Sequence, residues 1–322
     1  MTVQILILAV GLAMVVLGAD VLVDGASSMA RKLGVSEFII GLTIVGFGTS
    51  LPELVVSLNG ALEGNSDIAI GNVIGSNIFN SSLILAVSAI VAPIAITKAN
   101  RRRDIPITLL VTFLVLALGM SRTFFGLGEY DGLSRPEGAV LVGIFVLYMA
   151  YCFMTDKPEA AADAPQEGKK LMPVWKSSLL VLAGLACLVY GGRIFVDSAV
   201  KVAHMAGVSD KFIAITVLAM GTSLPEFVTS IVALVKKESQ MALGNILGSN
   251  VFNLLLILGV SSLVSPVHFA SVTLVDCAVL AMSAVLIWTS IYTGKRDKID
   301  RFDGALMLLL FISYMVWLFV KK

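Results

Sequence analysis

Glu53 and Glu226 are the side chains of this sequence best placed to do chemistry, because each ends an identical hexapeptide, GTSLPE. A threonine and a serine stand four and three residues before each glutamate. Residues at these spacings lie on one face of a helix. Carboxylate and hydroxyl oxygens are ligands that hard cations such as Ca²⁺ prefer. The hydroxyl ligands predicted beside the glutamates are Thr49, Ser50, Thr222 and Ser223.

Both hexapeptides belong to a segment that occurs twice. The hexapeptides begin at residues 48 and 221, and the decapeptides GNVIGSNIFN and GNILGSNVFN begin at residues 71 and 244. The separation is 173 residues in both cases, so no insertion or deletion lies between the copies. The chain therefore contains an internal duplication, in which the hexapeptide and the decapeptide have the same separation in both copies.

The decapeptides add further oxygen side chains in pairs four residues apart. These pairs are Ser76 with Asn80 and Ser249 with Asn253. A buried asparagine commonly forms hydrogen bonds between membrane helices instead of binding an ion. We favour hydrogen bonding between helices for Asn77 and Asn250, because they project away from Asn80 and Asn253.

Composition indicates a membrane protein. Of 322 residues, 57% are hydrophobic and 14% are charged, whereas soluble domains carry about 25% charged residues. Apolar stretches long enough to span a bilayer separate short charged clusters. No basic domain is present to bind nucleic acid. Cys152, Cys187 and Cys277 lack the spacing of a disulfide framework or a zinc site.

We predict an all-α membrane protein with ten transmembrane helices in two five-helix repeats. The predicted helices 1 to 10 cover residues 3–30, 36–63, 67–92, 104–120, 137–154, 174–204, 209–236, 239–264, 271–292 and 302–320. The repeats occupy residues 1–154 and 173–322, joined by a charged linker, residues 155–172. An odd number of helices makes the second repeat enter from the opposite side, which gives inverted repeats.

The distribution of Lys and Arg predicts the orientation. With the N-terminus outside, sixteen of these residues lie on the cytoplasmic side, including the linker, and six lie outside. This is a positive-inside bias. We therefore expect a multi-pass membrane protein with both termini outside.

Each hexapeptide also contains a proline, Pro52 or Pro225. Proline lacks the N–H group that would bond the carbonyl of Gly48 or Gly221. At membrane depth such a break is tolerated where the freed carbonyl lines a cavity or meets another partner. We expect carbonyl, hydroxyl and carboxylate oxygens to converge at each break.

The charge balance indicates what these oxygens bind. A carboxylate inside a membrane is costly and normally faces a polar cavity with a partner. The interiors of predicted helices 2, 3, 7 and 8 contain neither Lys nor Arg, so a mobile cation is the expected counter-charge. Glu53 and Glu226 together balance one Ca²⁺, and Na⁺ can occupy the same oxygens one charge at a time.

These two blocks resemble the signature repeats of the calcium/cation antiporter superfamily, and most closely those of its prokaryotic sodium/calcium exchangers. The resemblance covers nearly the whole chain. It implies secondary active exchange of Na⁺ for Ca²⁺ by alternating access. Predicted helices 2, 3, 7 and 8 would hold the ions, and helices 1 and 6 would slide across them. The same resemblance implies a location in the bacterial inner membrane. We expect no cofactor, contact with membrane lipid, and function as a monomer.

The resemblance also implies a ligand set. Glu53 and Glu226 would be the central ligands shared by Ca²⁺ and Na⁺. The hydroxyls named above and the carbonyls near Gly46 and Ala219 would complete flanking Na⁺ sites, and Asn80 and Asn253 would complete the middle. Some relatives carry Asp at the position of Asn253, and that acid accompanies K⁺ use in the family.

Three other functions are compatible with parts of this pattern. A Ca²⁺/H⁺ antiporter on the same fold would transport Ca²⁺ with a proton gradient and without Na⁺. A passive cation channel would show flux without counter-transport. An intramembrane enzyme is disfavoured, because no His–Glu metal motif or Ser–Lys pair lies at helix depth.

Overall fold

A computed structural model describes residues 1–156, 171–205, 221–293 and 297–320, which are almost entirely helical. The helices are α1 (Thr2–Leu33), α2 (Glu37–Thr49), α3 (Leu51–Leu62), α4 (Ser66–Val91), α5 (Ile105–Gly119), α6 (Ser121–Phe125), α7 (Arg135–Thr155), α8 (Val174–Met205), α9 (Leu224–Val235), α10 (Ser239–Val264), α11 (Leu274–Thr289) and α12 (Arg301–Val320). The strands are β1 (Ile94–Ala95), β2 (Gly132–Leu133), β3 (Val267–His268) and β4 (Lys298–Ile299).

Six of the described helices are long and apolar enough to cross a membrane, or seven if the bent pair α2 and α3 forms one span. Helices α9 and α11 are apolar but shorter. Where the chain is described, the helix ends lie within a few residues of the predicted ones. Predicted helix 7 begins outside the described residues, so the count of ten stays a prediction. The short helix α6 lies between predicted helices 4 and 5, and Gly126, with φ of 68°, caps its C-terminal end.

The chain divides into two compact units that do not follow the sequence repeats. The first comprises Met1–Pro52 and Lys157–Asn245, and the second comprises Glu53–Asp156 and Ile246–Lys322. The predicted five-helix repeats are defined by sequence similarity, whereas these units are defined by packing. The repeat boundaries therefore stay a prediction.

In the first unit α1 and α8 pack antiparallel at very short range. A Cβ added to Gly11 would lie 3.0 Å from the carbonyl oxygen of Gly191, and one added to Gly18 would lie 2.9 Å from that of Gly184. The glycines let the two backbones touch. The 173-residue offset maps Gly11 onto Gly184 and Gly18 onto Gly191, so the two contacts are equivalent by the repeat.

In the second unit α7 packs on α10, and α12 packs on α4. Each pair includes a glycine in close approach: a Cβ on Gly138 or on Gly304 would lie 2.7 Å from a carbonyl oxygen of the facing helix. Two small antiparallel sheets, β1 with β4 and β2 with β3, join the connections between helices. Strand β3 follows β1 by the same 173 residues.

Within the residues that the structure describes, three π-helical turns interrupt the motif-bearing helices, and the sequence did not predict them. They cover Gly41–Val45 in α2, Asn80–Ile84 in α4 and Phe252–Ile257 in α10. A π turn inserts one residue without changing the apolar character of the segment, so hydrophobic periodicity does not reveal it. Such turns occur frequently at functional sites.

Candidate functional site

Both hexapeptides form the same helix break. Ser50, between α2 and α3, has φ of −83° and ψ of 6°, and Ser223, just before α9, has φ of −89° and ψ of 8°. The axes of α2 and α3 differ by 49°. The proline of each hexapeptide is the second residue of the helix that follows, where its missing N–H costs no hydrogen bond. The sequence prediction of a break at these prolines is confirmed.

Each break places its glutamate in the first turn of a new helix. Glu53 lies in the first turn of α3 and Glu226 in the first turn of α9. Both residues are 1% exposed. A helix N-terminus favours a carboxylate because the helix dipole is positive there. The first turn of a helix thus offsets part of the cost of burying a carboxyl group.

In the first unit, hydroxyls of the first hexapeptide contact groups of the second copy. Ser50 donates from Oγ to Oε1 of Glu226 at 3.1 Å. The hydroxyl of Thr49 lies 3.1 Å from Oδ1 of Asn245 and 3.0 Å from the carbonyl oxygen of Val45. Both hydroxyl residues are buried. The two copies of the motif therefore share polar contacts.

In the second unit, Glu53 lies beside the first decapeptide. The Oγ of Ser76 is 3.5 Å from Oε1 of Glu53. Asn80 and Asn253 are each 1% exposed, and neither side-chain amide has a hydrogen-bond partner among the residues that the structure describes. Asn80 begins one π turn and Asn253 lies in another. Buried amide oxygens that accept no hydrogen bond are suited to bind a cation.

The remaining predicted ligands are placed as follows. Gly46 is buried in the last turn of α2, and Ser223 is completely buried at the second break. Thr222 Oγ1 and Ser249 Oγ are shielded from solvent and form no hydrogen bond with the described part of the chain. Ala219 lies outside the described residues.

The two asparagines that were predicted to form hydrogen bonds between helices have different hydrogen-bond partners. Asn250 of α10 donates to Oγ of Ser81 in α4 at 2.8 Å, as predicted. Asn77 donates to the carbonyl oxygen of Val73 in its own helix at 2.7 Å. Among the described residues Asn77 makes no hydrogen bond to another helix, so the interhelical interpretation of Asn77 stays a prediction.

Sequence reasoning missed two further residues, Asn72 and Asn245. Each side chain bonds the backbone carbonyl of a glutamate, Glu53 or Glu226 respectively. A signal was available, because Asn72 and Asn245 stand four residues before Ser76 and Ser249 and so share their helix face.

The predicted ligand atoms in each unit are oxygen atoms. Within the described ranges no group of three or more His, Cys, Asp or Glu side chains could hold a metal ion. Two carboxylates with hydroxyl and amide oxygens suit hard cations, whereas soft transition metals prefer sulfur or imidazole.

Comparison with known proteins gives consistent matches. The family model described as sodium/calcium exchanger protein matches residues 3–154 and 176–320. The chain is 31% identical to the sodium/calcium exchanger MaX1 of Methanosarcina acetivorans, over 99% of both chains. It is 36% identical to the inner membrane protein YrbG of Escherichia coli, over 81% of this chain and 79% of that protein. A structure of the sodium-calcium exchanger NCX_Mj matches with a TM-score of 0.83 and 32% identity, over 98% of each chain.

Proposed function

Since this chain belongs to the sodium/calcium exchanger family, we propose that it exchanges Na⁺ for Ca²⁺ by alternating access, with both ions competing for one cage of oxygens built on Glu53 and Glu226. Membership of the family makes the chain an integral membrane cation/Ca²⁺ antiporter and not an enzyme. The coupling ion and the cage are the parts proposed here.

One observation carries the proposal: each copy of the motif buries a carboxylate in the first turn of a helix that starts at the same break. Two carboxylates supply the charge that balances one Ca²⁺. The same oxygens hold Na⁺ when Ca²⁺ leaves. Because both ions need these carboxylates, occupancy by one excludes the other, and this competition couples the two fluxes.

The cage has a middle and flanking positions. The proposed ligands are Glu53, Glu226, Asn80 and Asn253 in the middle, with Thr49, Ser50, Ser76, Thr222, Ser223, Ser249 and the carbonyls near Gly46 and Ala219 for flanking Na⁺. The buried amides of Asn80 and Asn253, which accept no hydrogen bond from the described residues, support their assignment as ligands. A neutral Asn253 leaves two carboxylates as the acids of the cage.

We place this cage in ten transmembrane helices arranged as two inverted repeats, with residues 155–172 in the cytoplasm and both termini outside. The antiparallel packing of α1 on α8 supports the inversion, because its contacts, Gly11 with Gly191 and Gly18 with Gly184, exchange under the repeat offset. A cysteine introduced into residues 155–172 of a cysteine-free variant should react only with reagents on the cytoplasmic side. Labelling from the periplasm would reverse the orientation.

The deciding experiment is uptake of ⁴⁵Ca²⁺ into proteoliposomes loaded with Na⁺, compared with K⁺-loaded vesicles and vesicles under a pH gradient. Uptake that requires internal Na⁺ and disappears in Glu226→Gln is the expected result. Uptake driven equally by a pH gradient without Na⁺ would identify a Ca²⁺/H⁺ antiporter. Flux without any counter-ion gradient would identify a channel.

A further inference from the structure

We propose that Asn72 and Asn245 are positioning residues that aim the carboxylates of Glu53 and Glu226 by holding the backbone from which they project. Neither asparagine belongs to the proposed cage. The inference rests on the proposed function, since it concerns how the cage keeps its shape.

In the first copy, Asn72 of α4 reaches across to α3. Its Nδ2 donates to the carbonyl oxygen of Glu53 at 3.0 Å and to Oγ of Ser57 at 2.8 Å. The two acceptors are four residues apart, so the amide spans one turn of α3, beginning at the glutamate.

In the second copy, Asn245 of α10 makes the same two contacts with α9. Its Nδ2 donates to the carbonyl oxygen of Glu226 at 3.2 Å and to Oγ of Ser230 at 2.9 Å. The contacts of Asn72 lie within the second compact unit, and those of Asn245 lie within the first. The same atoms pair at the same sequence spacing in both copies, so the contact is a repeated feature of the motif.

The contact matters because of where it is made. A helix that starts at a break lacks the preceding turn that would otherwise bond its first N–H groups, so its first turn is weakly held. Glu53 and Glu226 lie in such turns. A hydrogen bond to the carbonyl of the glutamate, part-buried for Asn72 and buried for Asn245, fixes the direction of the Cα–Cβ bond of that glutamate. The carboxylate then keeps its place whether Ca²⁺ or Na⁺ is bound.

The chemistry of the amide separates this role from that of a ligand. An asparagine Nδ2 carries two N–H donors, and both have protein acceptors here. The Oδ1 of Asn245 also lies 3.1 Å from the Thr49 hydroxyl. Asn245 thus connects Thr49 to the backbone of Glu226, and we expect it to matter more than Asn72.

The test measures initial Ca²⁺ uptake against Ca²⁺ concentration in proteoliposomes, under whichever gradient drives the wild-type protein. The variants are Asn72→Leu and Asn245→Leu, which keep the branching at Cγ and the number of non-hydrogen side-chain atoms and lose both donors. We expect KM for Ca²⁺ to rise about tenfold, with a smaller change in maximal rate. The rise should be larger for Asn245→Leu.

Asn77→Leu is the matched control. Asn77 is a buried asparagine of α4 that bonds only its own helix, through the Val73 carbonyl, in the part of the chain described here. It should keep the wild-type KM. An equal rise in this control would overturn the positioning role, because the effect would then be one of general packing.

Ser230→Ala replaces Asn245→Leu in the test if the latter does not purify as a folded protein. The serine change removes one of the two acceptors of Asn245 and little side-chain volume. It should raise KM in the same direction by a smaller factor. When both variants fold, the double variant should match Asn245→Leu alone, because the serine acts through the asparagine.

The outcomes separate this inference from the proposed function. If wild-type protein shows no gradient-driven Ca²⁺ uptake, the proposed function fails. If wild type transports and Glu226→Gln does not, while Asn245→Leu keeps a KM within about twofold of wild type, only the positioning role is overturned.

Discussion

Ser50 donates a hydrogen bond from its Oγ to Oε1 of Glu226 at 3.1 Å. A hydroxyl of the first GTSLPE copy therefore contacts the carboxylate of the second copy. Ser50 lies at the break between α2 and α3, where its backbone is not helical and the axes of the two helices differ by 49°. Each carboxylate is thus set in place by residues from more than one segment of the chain.

Replacing Glu53 or Glu226 by glutamine should reduce Ca²⁺ uptake by at least about 100-fold. Each change removes one unit of the charge that balances Ca²⁺ and keeps the shape of the side chain. The control is Glu63→Gln, the same change at an exposed position, which should transport normally. Normal uptake by both site variants would show that the two glutamates do not form the cage.

Replacing Ser50 by alanine should raise KM for Ca²⁺ about tenfold, because a hydrogen bond to a charged group contributes about 1.5 kcal/mol or more. Initial uptake rates against Ca²⁺ concentration measure the effect. Ser283→Ala removes a buried hydroxyl that bonds a carbonyl of its own helix and should leave KM unchanged. Equal values for the two variants would contradict a role for the contact with Glu226.

Glu238→Gln should lower stability by about 1.5 kcal/mol, at the low end for a hydrogen bond to a charged group. Glu238 accepts from Arg31 and from Ser27, both at 2.8 Å. Its side chain is 3% exposed, whereas that of Arg31 is 26% exposed. The contacts tie the end of α1 to the turn between α9 and α10. Thermal unfolding in detergent measures the loss, and an unchanged midpoint would mean that this ion pair contributes little.

Lys237→Gly should stabilise the protein by about 1 kcal/mol. Lys237 has φ of 66°, a left-handed conformation that costs about 1 kcal/mol for a residue with a side chain. The equivalent position in the first copy is Gly64, with φ of 70°. The reciprocal change, Gly64→Lys, should destabilise by a similar amount. A lower unfolding midpoint for Lys237→Gly together with a higher one for Gly64→Lys would rule out backbone strain at this turn.

The sequence by itself determined the duplication, the two acids and the apolar segments around them. The constant offset of 173 residues can be counted along the chain. A carboxylate within an apolar segment can also be recognised from the sequence, and its burial in a membrane is costly wherever the segment packs. The prolines likewise predicted the breaks, because proline lacks a backbone N–H group whatever its tertiary surroundings.

Only the tertiary structure decided which oxygen meets which carboxylate. The rule that residues three and four apart share a face assumes an unbroken helix, and the bend at Ser50 cancels it there. The ties from Asn72 and Asn245 depend on α4 lying against α3 and α10 against α9. Such contacts join residues that are 19 positions apart, and helix packing, which no local pattern encodes, brings them together.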